Sequence, residues 1–409
     1  MDIRVETERL RKDIEELGRI GRDPAGGISR PSFSPADLEA RAWLQKKIEE
    51  AGLFYRQDGA GNQFGRIEGT GKTVMAGSHI DTVLNGGMFD GAAGVLAALE
   101  CLRRIREDNV SVQKPLEVAS FTDEEGNLVG DFLGSRAFMG LLSRPEIEQG
   151  RTQFGLPLTE ILKGTAFSVE TIAGARRSRP DLEAYLELHI EQGPVLEDEG
   201  VPIGVVERIA GKHYRQCAYI GQASHAGTTP LELRHDAFLG LSDFALKATQ
   251  HVATRHYGSM VTVGRVILHP GVFSIVPARA DFTLDFRSTD AATLADLEAE
   301  LLAIAEDTAS TRGLGFASRI VDRTAPVAAA PRLVGMLEEE SRSLGYPSMR
   351  LTSGAGHDAQ IIAAECDAGM IFIPCADGIS HSPDERVSWD DLEKGANVLL
   401  RTLIRLAQA

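Results

Sequence analysis

Seven side chains carry the chemistry that can be read in this sequence: His79, Asp81, Asp90, Glu124, Glu125, His189 and His381. The first three stand together in GSHIDTVLNGGMFDGAAG, residues 77–94. A histidine at a strand end, with a carboxylate two residues on, is the pattern of a metal ligand and the group that orients it. Asp90 follows in a glycine-rich loop. Glu124 and Glu125 are adjacent in LEVASFTDEEG, so they cannot both enter one site as ordinary strand side chains. A strand-to-loop turn there lets one ligate a metal while its neighbour faces a substrate. His189 lies near the end of AYLELHIEQGP, and His381 lies in GISHSPDE. Imidazoles and carboxylates without a thiolate are what a pair of borderline divalent cations requires. Taken singly, each residue would be a solvated acid or a core histidine. Four segments that each end an expected strand in His or an acid point instead to one shared site.

Those side chains need strands to deliver them. Thr73–Ala76 is a short apolar run of the kind that forms a buried strand, and GAAGVLAALE after Asp90 starts a helix. From 53 to 125 strands and helices alternate, which favours βα units and a mainly parallel sheet whose strand ends line the ligand crevice. Amphipathic helices are expected over 1–20 and 35–52, the second with Ser34 as N-cap and Pro35 at its first position. Residues 126–185 read as loops and short helices. From about 211 to 325 the pattern becomes β-α-β-β-α-β, the split motif of a small α+β sandwich. The expected domains are therefore a catalytic body formed by 1–210 and 326–409, with 211–325 inserted into it. A helix over 331–344, a strand GMIFIPC and a helix over 390–408 complete the body.

Composition excludes several classes. The chain has 409 residues, 43% hydrophobic and 25% charged, with a net charge of −16. That charge argues against nucleic acid or an anionic membrane as partner. No apolar leader or bilayer-length stretch is visible. The four cysteines, Cys101, Cys217, Cys366 and Cys375, match no zinc or redox spacing, so a reducing cytoplasm is expected. GTGKT at 69–73 looks like a phosphate-binding loop, but the upstream glycine, Gly65, is one residue out of register and a strand follows; it reads as a hairpin turn. His189-Ile190-Glu191 with Pro374-Cys375 lacks the second cysteine of a zinc deaminase, since Gly378 stands there. No G-x-S-x-G elbow suggests a serine hydrolase.

The boxes GSHIDTV, FDGAAGV, FTDEEG, ELHIEQGPVLE, SHAGTTP, SGAGHDAQ and GISHSPDE, in this order, resemble the amidase/hydantoinase/carbamoylase family. That family includes N-carbamoyl-L-amino acid hydrolases, allantoate amidohydrolases and β-ureidopropionases, within the wider di-metal aminoacylase and carboxypeptidase superfamily. The resemblance runs from IGRDPAGGISRPSFS to the last helix. It implies a di-metal exopeptidase-like α/β catalytic domain with an inserted lid and dimerisation domain. Two divalent ions per subunit, zinc or else manganese, cobalt or nickel, would be held by His79, Asp90 and His189 and by Asp90, Glu125 and His381. Asp81 would orient His79, and Glu124 would be the general base. His225 in SHAGTTP would stabilise the oxyanion from across a homodimer interface. Arg287, Gln192 and the loop carrying Gly354, Gly356 and His357 would bind the substrate carboxylate and amide.

Two departures bear on specificity. The family usually has asparagine where PGVFSIVP has Ser274, and that asparagine contacts substrate. After Glu125-Gly126 the stretch Asn127–Asp131 differs from the usual Arg-Phe type continuation and is one residue shorter. The implied activity is hydrolysis of an N-carbamoyl-L-amino acid or a related N-acyl amino acid. Allantoate or ureidoglycolate hydrolysis and β-ureidopropionase activity are the alternatives. A metal-dependent binding protein without turnover is a remote one, because Glu124 is present.

Overall fold

The computed structural model describes residues 3–152, 155–177 and 181–408. Two compact units divide the chain, one formed by Met1–Glu207 with Ala328–Ala409 and the other by Arg208–Val327.

The strands of the larger unit are β1 (Phe54–Gln57), β2 (Gln63–Ile67), β3 (Thr73–His79), β4 (Leu116–Phe121), β5 (Leu182–Ile190) and β6 (Ile203–Ile209). The smaller unit supplies β7 (Gly211–Ile220), β8 (Met260–His269), β9 (Arg279–Ser288) and β10 (Gly315–Thr324). The short β11 (Val327–Ala328), β12 (Ser348–Ser353) and β13 (Asp367–Ile373) return to the large sheet. Its order is β1-β2-β4-β3-β5-β13-β6-β11, with β12 beside β6. The four central strands β4, β3, β5 and β13 run parallel, while β2 and β6 flank them antiparallel. This is a mixed, mainly parallel α/β sheet. β3 is buried along its whole length, as a strand covered on both faces must be. The helices Ala92–Glu107 and Trp389–Gln408 pack on it through an apolar core containing Val74, Leu99, Leu188, Ile371 and Leu399.

The parallel register sets the site. His79 pairs with Phe121, and His189 with Phe372, so the carboxyl ends of the four strands finish at one level. Three expectations change. The GTGKT stretch is not a hairpin turn: β2 and β3 lie on opposite sides of β4, so residues 69–73 cross past that strand. There Thr70 donates its N–H to the carbonyl of Gln113 at 2.7 Å. The first helix is Thr7–Leu17 rather than 1–20, with residues 1 and 2 outside the described ones, and Gly18 at its C-terminus. The second ends at Glu50.

In the smaller unit the four strands form an antiparallel sheet in the order β10-β7-β9-β8. The helices Ala237–Arg255 and Ala291–Thr311 cover one face, packing Phe244 and Leu301 against Tyr219, Phe282 and Phe286. β9 alternates buried and half-exposed residues along its length, the signature of a sheet with one covered face. Among the described residues no helix is long and apolar enough to cross a membrane.

Candidate metal centre

Small residues let the helix Ala92–Glu107 sit directly on the strand ends. A Cβ on Gly94 would lie 2.3 Å from the carbonyl oxygen of Leu188. Gly91 has φ +62, and a Cβ there would lie 2.4 Å from the imidazole of His79. The glycine-rich loop therefore brings Asp90 up against the histidine of the preceding strand, where any side chain at position 91 would collide.

Asp90 is the hub. Its Oδ1 lies 3.1 Å from His189 Nε2 and 3.6 Å from His79 Nε2, while its Oδ2 lies 3.1 Å from His381 Nε2. Glu125 Oε2 is 3.5 Å from His381 Nε2, and Glu124 Oε2 is 3.5 Å from His79 Nε2. A tetrahedral site with bonds of 2.0–2.1 Å spaces its donor atoms by roughly 3.3 Å, so these separations suit two ions sharing one carboxylate. The floor is closed and the mouth open: the side chains of His79 and His189 are each 1% exposed, that of His381 47%.

The hydrogen bonds around the rings fix which nitrogen faces inward. His79 Nδ1 lies 3.0 Å from the carbonyl of Asp81, and His189 Nδ1 2.8 Å from that of Ile190. A carbonyl only accepts, so each Nδ1 carries a proton, and the neutral form of each ring turns its Nε2 lone pair into the cluster. Among the described residues, buried His79 Nε2 and Glu125 Oε1 have no hydrogen-bond partner. Such orphaned donor atoms are what a bound metal satisfies.

Charge gives a second test of fit. Burial pushes the Glu124 carboxyl well above the usual carboxylate range, with Glu125, Asp358 and Asp90 adding to the rise and His79 opposing it. Glu125 is pushed up to about 7, by burial first and then by Asp90. Burial acts on Asp90 too, but His189, His381 and His79 overcome it and hold this carboxyl well below its ordinary value. Asp81, Asp123, Glu187 and Asp358 are also buried close by. Acids outnumber the imidazoles in this cluster, and divalent cations would offset the excess negative charge.

The other expected site residues are placed as follows. The Asp81 carboxylate stands 3.7 Å from His79 Nδ1, so the backbone carbonyl makes the orienting contact. The carboxylate instead receives the N–H groups of Glu124 and Glu125, each at 3.4 Å. The difference arises because β3 ends at His79 and the chain turns before Asp81. Gln192, with φ +58, donates from Nε2 to Asp90 Oδ2 at 2.8 Å. His357 is buried, its ring edge-on to that of His189 at 4.6 Å and its Nε2 2.9 Å from Ser353 Oγ. A Cβ on Gly354 would meet nothing within 4 Å, whereas one on Gly356 would press on Phe132 at 2.6 Å.

His225, Ser274 and Arg287 belong to the smaller unit. His225 pairs with Ile275 in an isolated bridge, and Ala226 donates to the carbonyl of Ser274 at 2.9 Å, so His225 and Ser274 stand on adjoining loops. Arg287 lies on β9 with its guanidinium against Asp285 at 2.9 Å.

Sequence reading missed several supports. Glu385 Oε1 accepts the N–H groups of Phe89 and Asp90, at 2.9 and 3.2 Å, and Ser380 Oγ stands within 3.0 Å of both Asp90 and Glu385. Glu187 takes the hydroxyl of Ser78 at 2.6 Å and the N–H of Ala359 at 2.8 Å. All three lie inside the boxes GISHSPDE and ELHIEQGP, so the signal was their place beside a histidine.

Residues 75–405 match the family described as Peptidase family M20/M25/M40. An N-carbamoyl-L-amino acid amidohydrolase of Geobacillus stearothermophilus is 38% identical over 408 residues, covering 99% of each chain. An allantoate amidohydrolase of Escherichia coli (strain K12) is 36% identical over 412 residues, covering 97% of this chain and 98% of that one. Among solved structures, an amidase of the hydantoinase/carbamoylase family from Burkholderia multivorans has a TM-score of 0.89 at 34% identity, with 100% of both chains covered. The chain therefore belongs to Peptidase family M20/M25/M40 and, within it, to the hydantoinase/carbamoylase amidases, as a metal-dependent hydrolase of carbon–nitrogen bonds.

Proposed function

We infer that the chain hydrolyses the ureido C–N bond of an N-carbamoyl-L-amino acid, or of a closely related N-acyl amino acid, to release the free amino acid. The observation that carries this reading is the position of Glu124. Its carboxylate lies 3.5 Å from His79 Nε2, beside the donor sets that share Asp90. The 38% identity to an N-carbamoyl-L-amino acid amidohydrolase supports the substrate class.

In this reading His79, Asp90 and His189 hold one divalent ion, and Asp90, Glu125 and His381 hold the second. Zinc is the first choice; manganese, cobalt and nickel accept the same donors. When bound, the ions supply Lewis-acid polarisation of the ureido carbonyl and ready ionisation of water. Glu124 takes the proton of the attacking water and delivers it to the leaving nitrogen. Asp81 fixes the Glu124-Glu125 turn through the two backbone N–H groups it accepts. Gln192, the Gly354–His357 loop and Arg287 bind the substrate amide and carboxylate, with Arg287 sharing its guanidinium between Asp285 and the substrate. His225 acts as oxyanion donor from the neighbouring subunit of a homodimer. The four free cysteines support a reducing, cytoplasmic setting.

Hydrolysis of allantoate or ureidoglycolate is the second reading, favoured by Ser274. A short hydroxyl beside His225, in place of a longer amide, changes what the substrate's polar tail can meet. The deciding experiment measures kcat/KM of the zinc- or manganese-loaded enzyme on N-carbamoyl, N-formyl and N-acetyl L-amino acids, N-carbamoyl β-amino acids, allantoate and ureidoglycolate. The carbamoyl L-amino acids are expected to lead. Turnover of allantoate or ureidoglycolate with none of the N-carbamoyl amino acids would replace the first reading by the second.

A further inference from the structure

The smaller unit contains a convergence of metal-type side chains that the proposed reaction does not use. His251 lies near the end of the helix Ala237–Arg255, His256 caps that helix, and Glu300 lies midway along Ala291–Thr311. His256 leaves helical geometry, with φ −128 and ψ 59. Its ring thereby comes back beside His251, with the ring centroids 5.6 Å apart. The Nε2 atoms of both rings lie 2.6 Å from the same oxygen of Glu300, Oε2. One donor atom from each of the three residues falls within 4.8 Å of the others.

Without an ion, this arrangement requires both imidazoles to carry their proton on Nε2 and to donate to one oxygen. With the proton on Nδ1 instead, the same three atoms present two lone pairs and a carboxylate oxygen to one point. Two imidazoles and a carboxylate are a ligand set for a borderline divalent cation. The adjustment needed is small. Donors around a tetrahedral ion stand roughly 3.3 Å apart, so the carboxylate must withdraw by about 0.7 Å. The partner best able to move is the carboxylate: the Glu300 side chain is 45% exposed, whereas those of His251 and His256 are 24% and 12% exposed. That exposure also leaves room for solvent to complete the coordination.

We propose that His251, His256 and Glu300 form an additional divalent-cation site, taking Zn²⁺ or another imidazole-seeking ion such as Ni²⁺ or Cu²⁺. The ion joins the C-terminus of one covering helix to the middle of the other. None of its ligands belongs to the catalytic cluster.

The test counts ions on the full-length protein. Wild type, His251→Ala and Glu300→Gln are freed of loosely held metal and titrated with Zn²⁺ alone. Bound zinc per chain is measured by elemental analysis and by competition with a chromophoric chelator. Wild type is expected to bind one equivalent more than His251→Ala, whatever number the catalytic cluster holds. In Glu300→Gln that equivalent should bind at least about tenfold more weakly, since losing a ligand costs no less than losing an outer hydrogen-bond partner. Amide hydrolysis should be unchanged in both variants. Equal zinc content and affinity in wild type and Glu300→Gln would overturn the proposal. If His251→Ala fails to fold, zinc-soaked wild-type crystals decide: an anomalous peak between the three side chains supports the site, and its absence overturns it.

Discussion

Arg30 Nε donates to the carbonyl of Ile80 at 2.7 Å, and Ile80 is the one residue between His79 and Asp81. Arg30 Nη1 donates to the carbonyls of Leu17 and Ile20, at 3.0 and 2.8 Å. Thr82 donates its backbone N–H to the carbonyl of Arg30 at 3.1 Å, and the Arg30 N–H donates to Thr82 Oγ1 at 3.0 Å. This guanidinium is 0% exposed. Burial pushes it down to about 10, with Asp37 and Asp81 opposing. The arginine thus holds the turn that carries Asp81, whose carboxylate in turn holds the Glu124-Glu125 backbone.

Replacing Arg30 by Met should therefore destabilise the larger unit and loosen the metal cluster together. The Leu17 carbonyl keeps the N–H of Ile20 at 3.0 Å, while those of Ile80 and Ile20 lose this partner. A carbonyl left unpaired in the core costs about 1–3 kcal/mol, so a loss of roughly 2 kcal/mol or more is expected. Arg30→Lys should recover only part of it, because one ammonium cannot follow the planar fork to three carbonyls. Denaturant midpoints and metal release to a chelator measure both effects. A Met variant with a wild-type midpoint would show that the arginine is dispensable.

The paired glutamates separate by what each loses. Glu124→Gln should retain metal and substrate affinity while kcat falls by about 10²–10⁴-fold, because only the proton acceptor is removed. Glu125→Gln should release metal more readily, since Glu125 Oε2 faces His381 at 3.5 Å. Metal content after dialysis, measured beside kcat, distinguishes them. Both variants keeping metal and most activity would mean that neither role is right.

The sequence carries the ligands because each stands in a short local box, two of them at strand ends: His79 closes β3, and His189 is the penultimate residue of β5. What it does not carry is distant support. Glu385 and the N–H of Phe89 that it accepts are 296 residues apart, and no periodicity links them. Strand order hides in the same way. GTGKT joins strands that follow each other in the chain but not in the sheet, because β4, from a later segment, pairs between them. Asp81 was recognisable by spacing, but whether its carboxylate or its carbonyl meets the imidazole depends on where β3 ends.

Asp58 gives a pH signature away from the metal cluster. It sits in the loop between β1 and β2, accepting from the N–H groups of Ala60 and Asn62, at 2.9 and 3.0 Å, and from Asn62 Nδ2 at 2.7 Å. Burial nevertheless pushes its carboxyl from 3.8 up to about 6. A raised carboxyl binds its proton more tightly folded than unfolded. Its contribution to stability therefore grows as pH falls from above 6 towards 4, by at most about 3 kcal/mol. Asp58→Asn keeps an acceptor oxygen but cannot titrate. The difference in unfolding free energy between wild type and variant should change across pH 4–6 in that direction, and a difference independent of pH would refute the assignment.

The last prediction concerns His225. Gly227 donates its backbone N–H to His225 Nδ1 at 3.1 Å. The neutral ring therefore carries its proton on Nε2, the nitrogen left to donate to an oxyanion. Losing such a donor costs about 10²–10³ in kcat, so His225→Ala should be nearly inactive while retaining metal. If His225 serves the neighbouring subunit of a homodimer, His225→Ala and Glu124→Gln carry complementary lesions. In a mixed dimer one site receives both lesions and the other receives neither, by two-fold symmetry. Equal mixing with full subunit exchange should restore roughly a quarter of wild-type activity, since about half the dimers are mixed and half their sites intact. Native mass spectrometry verifies the exchange. Verified heterodimers without recovered activity would place His225 in service of its own chain, or place the oxyanion donor on another residue.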